Sequence, residues 1–235
     1  MLGELFERVD HLRSEWKARL EVDVEGMVAG IRARLASRLR LTPLAVDEDL
    51  QDRRGRFGLG RVRTWAFESP ELRKAVLAQV ELRPVIEGLA LVLAPRRDID
   101  APVFAADLMV LPTRLAANAD VYGAPERTRG LLAPLAASFA RVGGTAGPAW
   151  CARIGSGEGL HARPSPRLVD ELFAGVTSAV GIYTDVLLSA PRGVDRAREQ
   201  GEFFAAFHAH GPRTGPLGRL FGAAWAERFS RLLFE

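Results

Sequence analysis

The middle of this sequence contains short apolar segments separated by proline and polar turns, and they constrain the fold more than any other feature. Three segments have the length and composition of buried strands: Val85 to Leu93, Val103 to Leu111 and Leu115 to Val121. Pro95 and Pro112 stop the first two. Because short turns connect the segments, we expect them to form an antiparallel meander.

Further strands are predicted on both sides of this meander. From Arg61, apolar and polar residues alternate as in a half-buried strand. Ala149 to Ile154 and Leu160 to Ala162 would extend the sheet after the meander. The polar stretch from Leu41 to Gly60 is rich in Asp, Arg and Gly, so it is predicted to be a connecting loop.

Helices are predicted at both ends of the chain. Residues Leu2 to Leu41 carry two apolar stripes at helical spacing, the first formed by Leu5, Val9, Leu12, Trp16 and Leu20, the second by Met27, Ile31, Leu35 and Leu39. The later helices are predicted at Arg127 to Val142, Ser165 to Leu188, Asp195 to Ala209 and Gly215 to Leu233. This order predicts one sheet covered by helices on both faces. No linker or repeat interrupts residues 1–235, so a single domain with a helical N-terminal segment, 1–41, is expected.

Cys151 is the only cysteine of the chain, and this excludes several kinds of site. An internal disulfide, an iron–sulfur cluster with four thiolates from this chain and a paired-cysteine zinc site are all impossible. Cys151 is interpreted as a small buried hydrophobe. If the protein performs redox chemistry, its electrons must therefore come from outside.

Charge and hydropathy exclude two further classes of partner. The net charge is +3, and no aromatic residues interleave with a basic run, so nucleic-acid binding is not expected. A mildly basic surface would nevertheless attract an acidic redox partner. No apolar run reaches the length of a membrane span, and the first residues are acidic where a secretory signal needs a basic flank. We therefore expect a cytoplasmic protein that does not enter a membrane.

Two patterns that are typical of nucleotide-binding and metal sites are incomplete in this sequence. The glycine-rich segment Gly155 to Gly159 lacks the dinucleotide-binding fingerprint, because position 160 is leucine, and it is interpreted as a turn. His208 and His210 lie two residues apart on a predicted helix, which is not a familiar metal-ligand spacing. No metal site is predicted.

Asp107 is the candidate functional residue that the pattern alone identifies. It lies within the otherwise apolar strand segment from Val103 to Val110. A carboxylate there is costly unless it is paired or protonated, and burial raises its pKa toward the range of a general acid at neutral pH. The alternative is an edge-facing or loop-capping aspartate.

Four blocks of the sequence follow one another in order: Trp65 to Lys74, Asp100 to Leu108, Leu160 to Ser165 and Leu220 to Glu235. Together they resemble the ferredoxin-dependent bilin reductases. Asp100 to Leu108 is similar to the family motif that ends in its catalytic aspartate, which falls on Asp107. Trp65 to Lys74 resembles the segment that ends in Phe-Arg-Lys, and Leu160 to Ser165 resembles the strand end Leu-Phe-Xaa-Arg-Pro-Ser. Leu220 to Glu235 resembles the C-terminal signature.

The resemblance implies an α/β fold, a three-layer α/β/α sandwich with a central antiparallel sheet. It also implies reduction of a linear tetrapyrrole such as biliverdin, bound between the sheet and the C-terminal helices. Reduced ferredoxin would supply the electrons and protein side chains the protons, with no cofactor bound by the chain. We expect a monomer. The alternative is a non-catalytic or repurposed tetrapyrrole-binding protein of the same fold.

The resemblance also predicts the site residues and shows where the chain departs from the family. The catalytic glutamate and histidine of the phycocyanobilin-forming branch fall on Ala78 and Ala90. The second family acid falls near Gly211, so His210 or His208 is predicted to take over as a proton donor beside Asp107. Pigment contacts are predicted for four residues, the two arginines pairing with the propionates: Phe104, Trp150, Arg163 and Arg213.

Overall fold

The computed structural model describes residues 23–82, 86–111, 115–123, 144–145, 160–162, 168–210 and 215–235. The strands in these ranges are β1 (Thr42–Pro43), β2 (Asp52–Arg54), β3 (Gly60–Glu68), β4 (Leu72–Leu82), β5 (Ile86–Pro95), β6 (Val103–Val110), β7 (Leu115–Tyr122), β8 (Gly144–Thr145) and β9 (Leu160–Ala162). The helices are α1 (Val24–Ala36), α2 (Glu48–Gln51), α3 (Val169–Ser189), α4 (Ala197–His210), α5 (Pro216–Phe221) and α6 (Ala223–Phe234). A short 3-10 helix spans Arg56–Gly58.

These strands form one sheet in the order β1-β3-β4-β5-β6-β7-β9-β8, with β2 also paired to β3. Every described strand pair is antiparallel. The predicted meander is confirmed as β5, β6 and β7, and the predicted strand Leu160–Ala162 is confirmed as β9. The central strands are buried on both faces, which explains their nearly continuous apolar sequence.

One face of the sheet is covered by α1 and α3. The second predicted N-terminal stripe is buried here, with Ile31 fully inaccessible and Leu35 nearly so. Tyr183 of α3 is also fully buried and donates a hydrogen bond to the carbonyl of Pro102, 2.8 Å away. By length and mean hydropathy, 1.5, α3 would also suffice to cross a membrane. Half of its most apolar part is buried within the fold, however, as in a core helix.

The opposite face is covered by α2, α4, α5 and α6, so the described residues form the predicted α/β/α arrangement. This core is aromatic. Trp225 of α6 lies between Phe221 and Phe229, with ring centroids 4.8 Å and 5.1 Å away, and its indole N–H donates to the Asp49 carbonyl at 2.8 Å. A single C-terminal helix was expected, but it is broken at Gly222, whose φ of 97° is left-handed and favours glycine.

The end of α6 is held by two basic side chains of β4. The Arg73 guanidinium donates to the Glu235 carbonyl at 2.8 Å, and the Lys74 ammonium donates to the Leu232 carbonyl at 3.0 Å. Adjacent strand residues normally point to opposite faces, but a register irregularity between Leu72 and Lys74 interrupts this alternation. Since the last carbonyls of a helix lack partners within it, both residues act as caps of α6.

The burial of Lys74 predicts a pH-dependent stability. Desolvation, with a smaller effect of Arg73, lowers the pKa of Lys74 to about 7 from 10.5. Between pH 7 and 10.5, Lys74 is protonated to a greater extent in the unfolded chain than in the folded protein. The free energy of unfolding therefore rises with pH by up to about 1.4 kcal/mol per pH unit. Urea unfolding at pH 7 to 9.5 should show this rise in the native protein and lose it in Lys74→Met. An equal slope in both proteins would contradict the assignment; exposed Arg219→Met is the control.

The structure corrects two sequence-based expectations. The predicted loop from Leu41 to Gly60 contains β1, α2, β2 and the 3-10 helix, and β1 and β2 pair with β3. No element was predicted at β4, which is the longest strand among the described residues. The predicted helices within residues 1–22 and at 127–142, and the predicted strand at 149–154, lie outside the described residues.

Candidate active site

A cleft lies between the sheet and the C-terminal helices on the aromatic face. Residues of β5, β6, β7 and β9 form its floor, and Phe207 of α4 and Phe234 of α6 form its roof. The two phenyl rings are stacked, with their centroids 4.8 Å apart. The cleft has a volume of about 110 Å³.

The floor is a straight row of paired residues across the sheet. Asp107 on β6 pairs with Ala90 on β5 and with Asn118 on β7. Asn118 pairs in turn with His161 on β9, and Ala90 pairs with Ala78 on β4. Residues directly opposite one another in neighbouring strands project to the same face. The row is therefore apolar on the β4–β5 side of Asp107 and polar on the β7–β9 side.

The polar half of this row is connected by hydrogen bonds. The Asn118 side-chain Nδ2 donates to Asp107 Oδ2 at 2.8 Å. The Asn118 Oδ1 lies 2.7 Å from His161 Nδ1. An amide oxygen only accepts, so His161 donates from Nδ1 in this arrangement and Nε2 carries no proton when the ring is neutral.

Burial changes the pKa of both titratable residues in this row, Asp107 and His161. Desolvation raises the pKa of Asp107 to about 6 from 3.8, against a lowering by the hydrogen bond from Asn118. Desolvation lowers the pKa of His161, which is 9% exposed. At pH 7 the imidazole is therefore neutral, while about a tenth of the Asp107 carboxyl retains its proton. Such a carboxyl can act as a general acid.

Phe104 does not share this cleft. It is fully buried on the opposite face of the sheet, where its ring lies 5.4 Å from that of Tyr183. The prediction that Phe104 contacts a ligand beside Asp107 is therefore wrong for this cleft. Leu108 also belongs to the core on the opposite face of the sheet.

His208 also lies apart from Asp107. It borders a neighbouring pocket that contains Arg73 and Arg97, and its Nε2 is 3.3 Å from Glu227 Oε1. Phe234 borders both pockets and stands between them. The structure thus does not bring His208 to the carboxyl that it was predicted to assist.

The other predicted site residues cannot be placed. Trp150, Arg163 and Arg213 lie outside the described residues. The backbone of His210 ends α4, but its side chain is not described. Their predicted roles remain predictions.

Sequence reasoning missed Asn118, the polar partner of Asp107, and His161, the partner of Asn118. Asn118 is a half-buried amide within a largely apolar strand, and a similar signal identified Asp107. His161 was visible only as part of a short motif, and no local pattern shows that β9 pairs with β7. Asp120 and Tyr122, two and four residues after Asn118, also border the cleft.

Comparison with known proteins gives two findings. A family model described as "Ferredoxin-dependent bilin reductase" matches residues 28–235. A crystal structure of SeMet-phytochromobilin synthase from tomato in complex with biliverdin is similar, with a TM-score of 0.79 and 15% sequence identity, over 90% of this chain and 83% of that chain. At this identity the likeness shows the fold. Comparison with curated protein sequences gives no match.

Proposed function

Since the chain belongs to the ferredoxin-dependent bilin reductase family, we propose that it reduces biliverdin or a related linear tetrapyrrole. The observation that carries the proposal is the half-buried Asp107 carboxyl in the floor of the cleft, with its pKa near 6. Family membership supports the reaction class, and the geometry of the cleft supports the proton donor.

The proposed reaction converts one double bond of the pigment to a single bond. Two molecules of reduced ferredoxin are oxidised and supply one electron each, and two protons are added. Asp107 gives the first proton to the pigment as the electron arrives and becomes a carboxylate. Solvent supplies the second proton and returns one to Asp107. The chain holds no redox cofactor of its own in this scheme.

The pigment would lie across the row of Ala90, Asp107 and Asn118, beneath the aromatic roof. Sites for ligands of this size measure roughly 300–1,000 Å³, whereas the cleft encloses about 110 Å³. Pigment binding would therefore widen the cleft between its floor and the rings of Phe207 and Phe234. Arg163 and Arg213 remain the proposed partners of the propionates.

The alanines beside Asp107 favour one alternative function. Ala78 and Ala90 align with Asp107 in the strand register and supply no proton at positions that are acidic or basic in the phycocyanobilin-forming branch. A protein with the remaining groups could bind a bilin without reducing it. The two functions differ in what happens after binding.

An anaerobic absorbance experiment separates them. Biliverdin is added to the purified protein, and reduced ferredoxin is then added to the complex. A reductase first gives the spectrum of bound pigment and then loses it as a product with fewer conjugated double bonds forms. A binding protein keeps the first spectrum after ferredoxin is added. Failure to bind any bilin would contradict both functions.

Proton donation by Asp107 predicts a specific pH dependence. The pKa of Asp107 is raised to about 6, so its protonated fraction falls about tenfold per pH unit above that value. Because kcat/KM reports the free enzyme, kcat/KM for bilin reduction should be level below pH 6 and fall above it. Ferredoxin must be saturating and its own reduction controlled at each pH. A profile that is flat from pH 5 to 8 would contradict this role.

A further inference from the structure

Asp107 is the end of a chain of two side-chain hydrogen bonds. Half-buried Asn118 donates to Asp107, and buried His161 donates in turn to Asn118. Their strands provide the alignment, since Asp107 pairs with Asn118 and Asn118 with His161. Three consecutive strands thus place a carboxyl, an amide and an imidazole in one line.

We propose that Asn118 and His161 are positioning residues that fix the Asp107 proton on Oδ1 and direct it into the cleft. The proposal rests on the proposed function for its catalytic consequence. The arrangement of the three side chains does not depend on that function.

The direction of the hydrogen bonds determines where the proton resides. Asn118 donates an N–H to Asp107 Oδ2, so a proton on that same oxygen would face another proton. The acid therefore carries its proton on Oδ1, and Oδ2 accepts from the amide. The orientation of the amide is fixed in turn, because its Oδ1 accepts from His161 Nδ1.

The pKa of Asp107 is set by desolvation and by the hydrogen bond from Asn118. Among the described residues, those facing it from the neighbouring elements are Ala90 on β5, Asn118, Asp120 and Tyr122 on β7, His161 on β9, Phe207 on α4 and Phe234 on α6. Asp120 and Tyr122 are the other titratable groups in this set. Asp120 accepts a hydrogen bond from the Val121 backbone N–H at 2.7 Å, which turns one of its oxygens toward its own strand.

Removing the amide should change the titration of Asp107. A hydrogen bond to a charged acceptor favours the charged form, so Asn118→Leu should raise the Asp107 midpoint by about one pH unit. His161→Leu should raise the Asp107 midpoint by less. The Asn118 amide is still present in this variant, but its orientation is no longer fixed by His161. His161→Asn should restore the native midpoint, because its Nδ2 stands close to the position of the imidazole Nδ1 and can donate to Asn118.

The test is a carbon-13 NMR titration of aspartate carboxyls in the ligand-free protein, with the Asp107 signal identified by its loss in Asp107→Asn. Exposed Met109→Ala, two residues along β6 from Asp107, is the matched control and should titrate as the native protein does. Circular dichroism confirms folding of each variant, and Asn118→Ala replaces Asn118→Leu if the latter does not fold.

The same variants are then compared in the pH profile of kcat/KM, whose midpoint should move with the NMR midpoint. An unchanged Asp107 midpoint in the Asn118 variant would overturn the proposal, as would His161→Asn shifting it as far as His161→Leu. The titration uses neither pigment nor ferredoxin. A chain that shows these shifts but does not reduce a bilin therefore contradicts the proposed function alone.

Discussion

Replacing Asp107 by Asn is expected to lower the rate of bilin reduction by about 10²- to 10⁴-fold, the usual contribution of a positioned general acid. Asparagine has nearly the same shape and can still hydrogen-bond, but it has no acidic proton to give. Because the pigment would remain in contact with the same floor and roof, the dissociation constant should change little. Stopped-flow absorbance after addition of reduced ferredoxin measures the rate, and titration with biliverdin measures binding.

Asp170→Asn is the matched control for this substitution. Asp170 is exposed in the first turn of α3, which lies on the opposite face of the sheet from the cleft. Asp170→Asn should leave the rate of bilin reduction and the dissociation constant for biliverdin unchanged. Reduction by Asp107→Asn at the native rate would mean that the pigment takes its first proton from another group.

Replacing Trp225 by Ala should produce the largest loss of stability among the single substitutions considered, about 3–5 kcal/mol in the free energy of unfolding. Trp225 is 4% exposed and lies between two aromatic rings. The substitution leaves a cavity where α2, α5, α6 and the sheet meet. It also leaves the Asp49 carbonyl without the indole donor. Urea unfolding followed by far-ultraviolet circular dichroism measures the loss.

Two further variants separate the contributions at Trp225. Trp225→Phe keeps most of the ring volume and removes the N–H donor, so its loss should be near 1 kcal/mol. Phe57→Ala is the control, because Phe57 is 84% exposed and its removal creates no cavity. A loss of less than about 1 kcal/mol in Trp225→Ala would show that α6 does not depend on this contact.

The layer arrangement could be predicted from the sequence because its signals are local. Apolar segments stopped by proline predicted β5 and β6, and helical spacing in the second N-terminal stripe predicted α1. The sequence of β4 contains Ala, Leu, Gln and Glu, which also suit a helix, so no local signal identified it as a strand. It is a strand because it pairs with β3 and β5 along most of its length.

The site could be predicted only in part. Asp107 stood out because a lone carboxyl in an apolar strand has few physical explanations. The period of two along β6 already implied that Phe104, three positions away, faces the other side of the sheet, so that error was avoidable. The partnership of Asp107 with His161 was not predictable, because it depends on pairing between strands more than forty residues apart.

The most direct test of the central claim is the infrared signal of a protonated Asp107 in the bilin complex. The carbonyl stretch of a neutral carboxylic acid is distinct from that of a carboxylate, and subtraction of the Asp107→Asn spectrum assigns it. At a pH near 5.5 this band should be present in the complex before reduction. It should be lost when reduced ferredoxin supplies the first electron under single-turnover conditions, and it should return as solvent reprotonates Asp107. A band that persists unchanged while the pigment is reduced, or that is absent from the start, would contradict Asp107 as the proton donor.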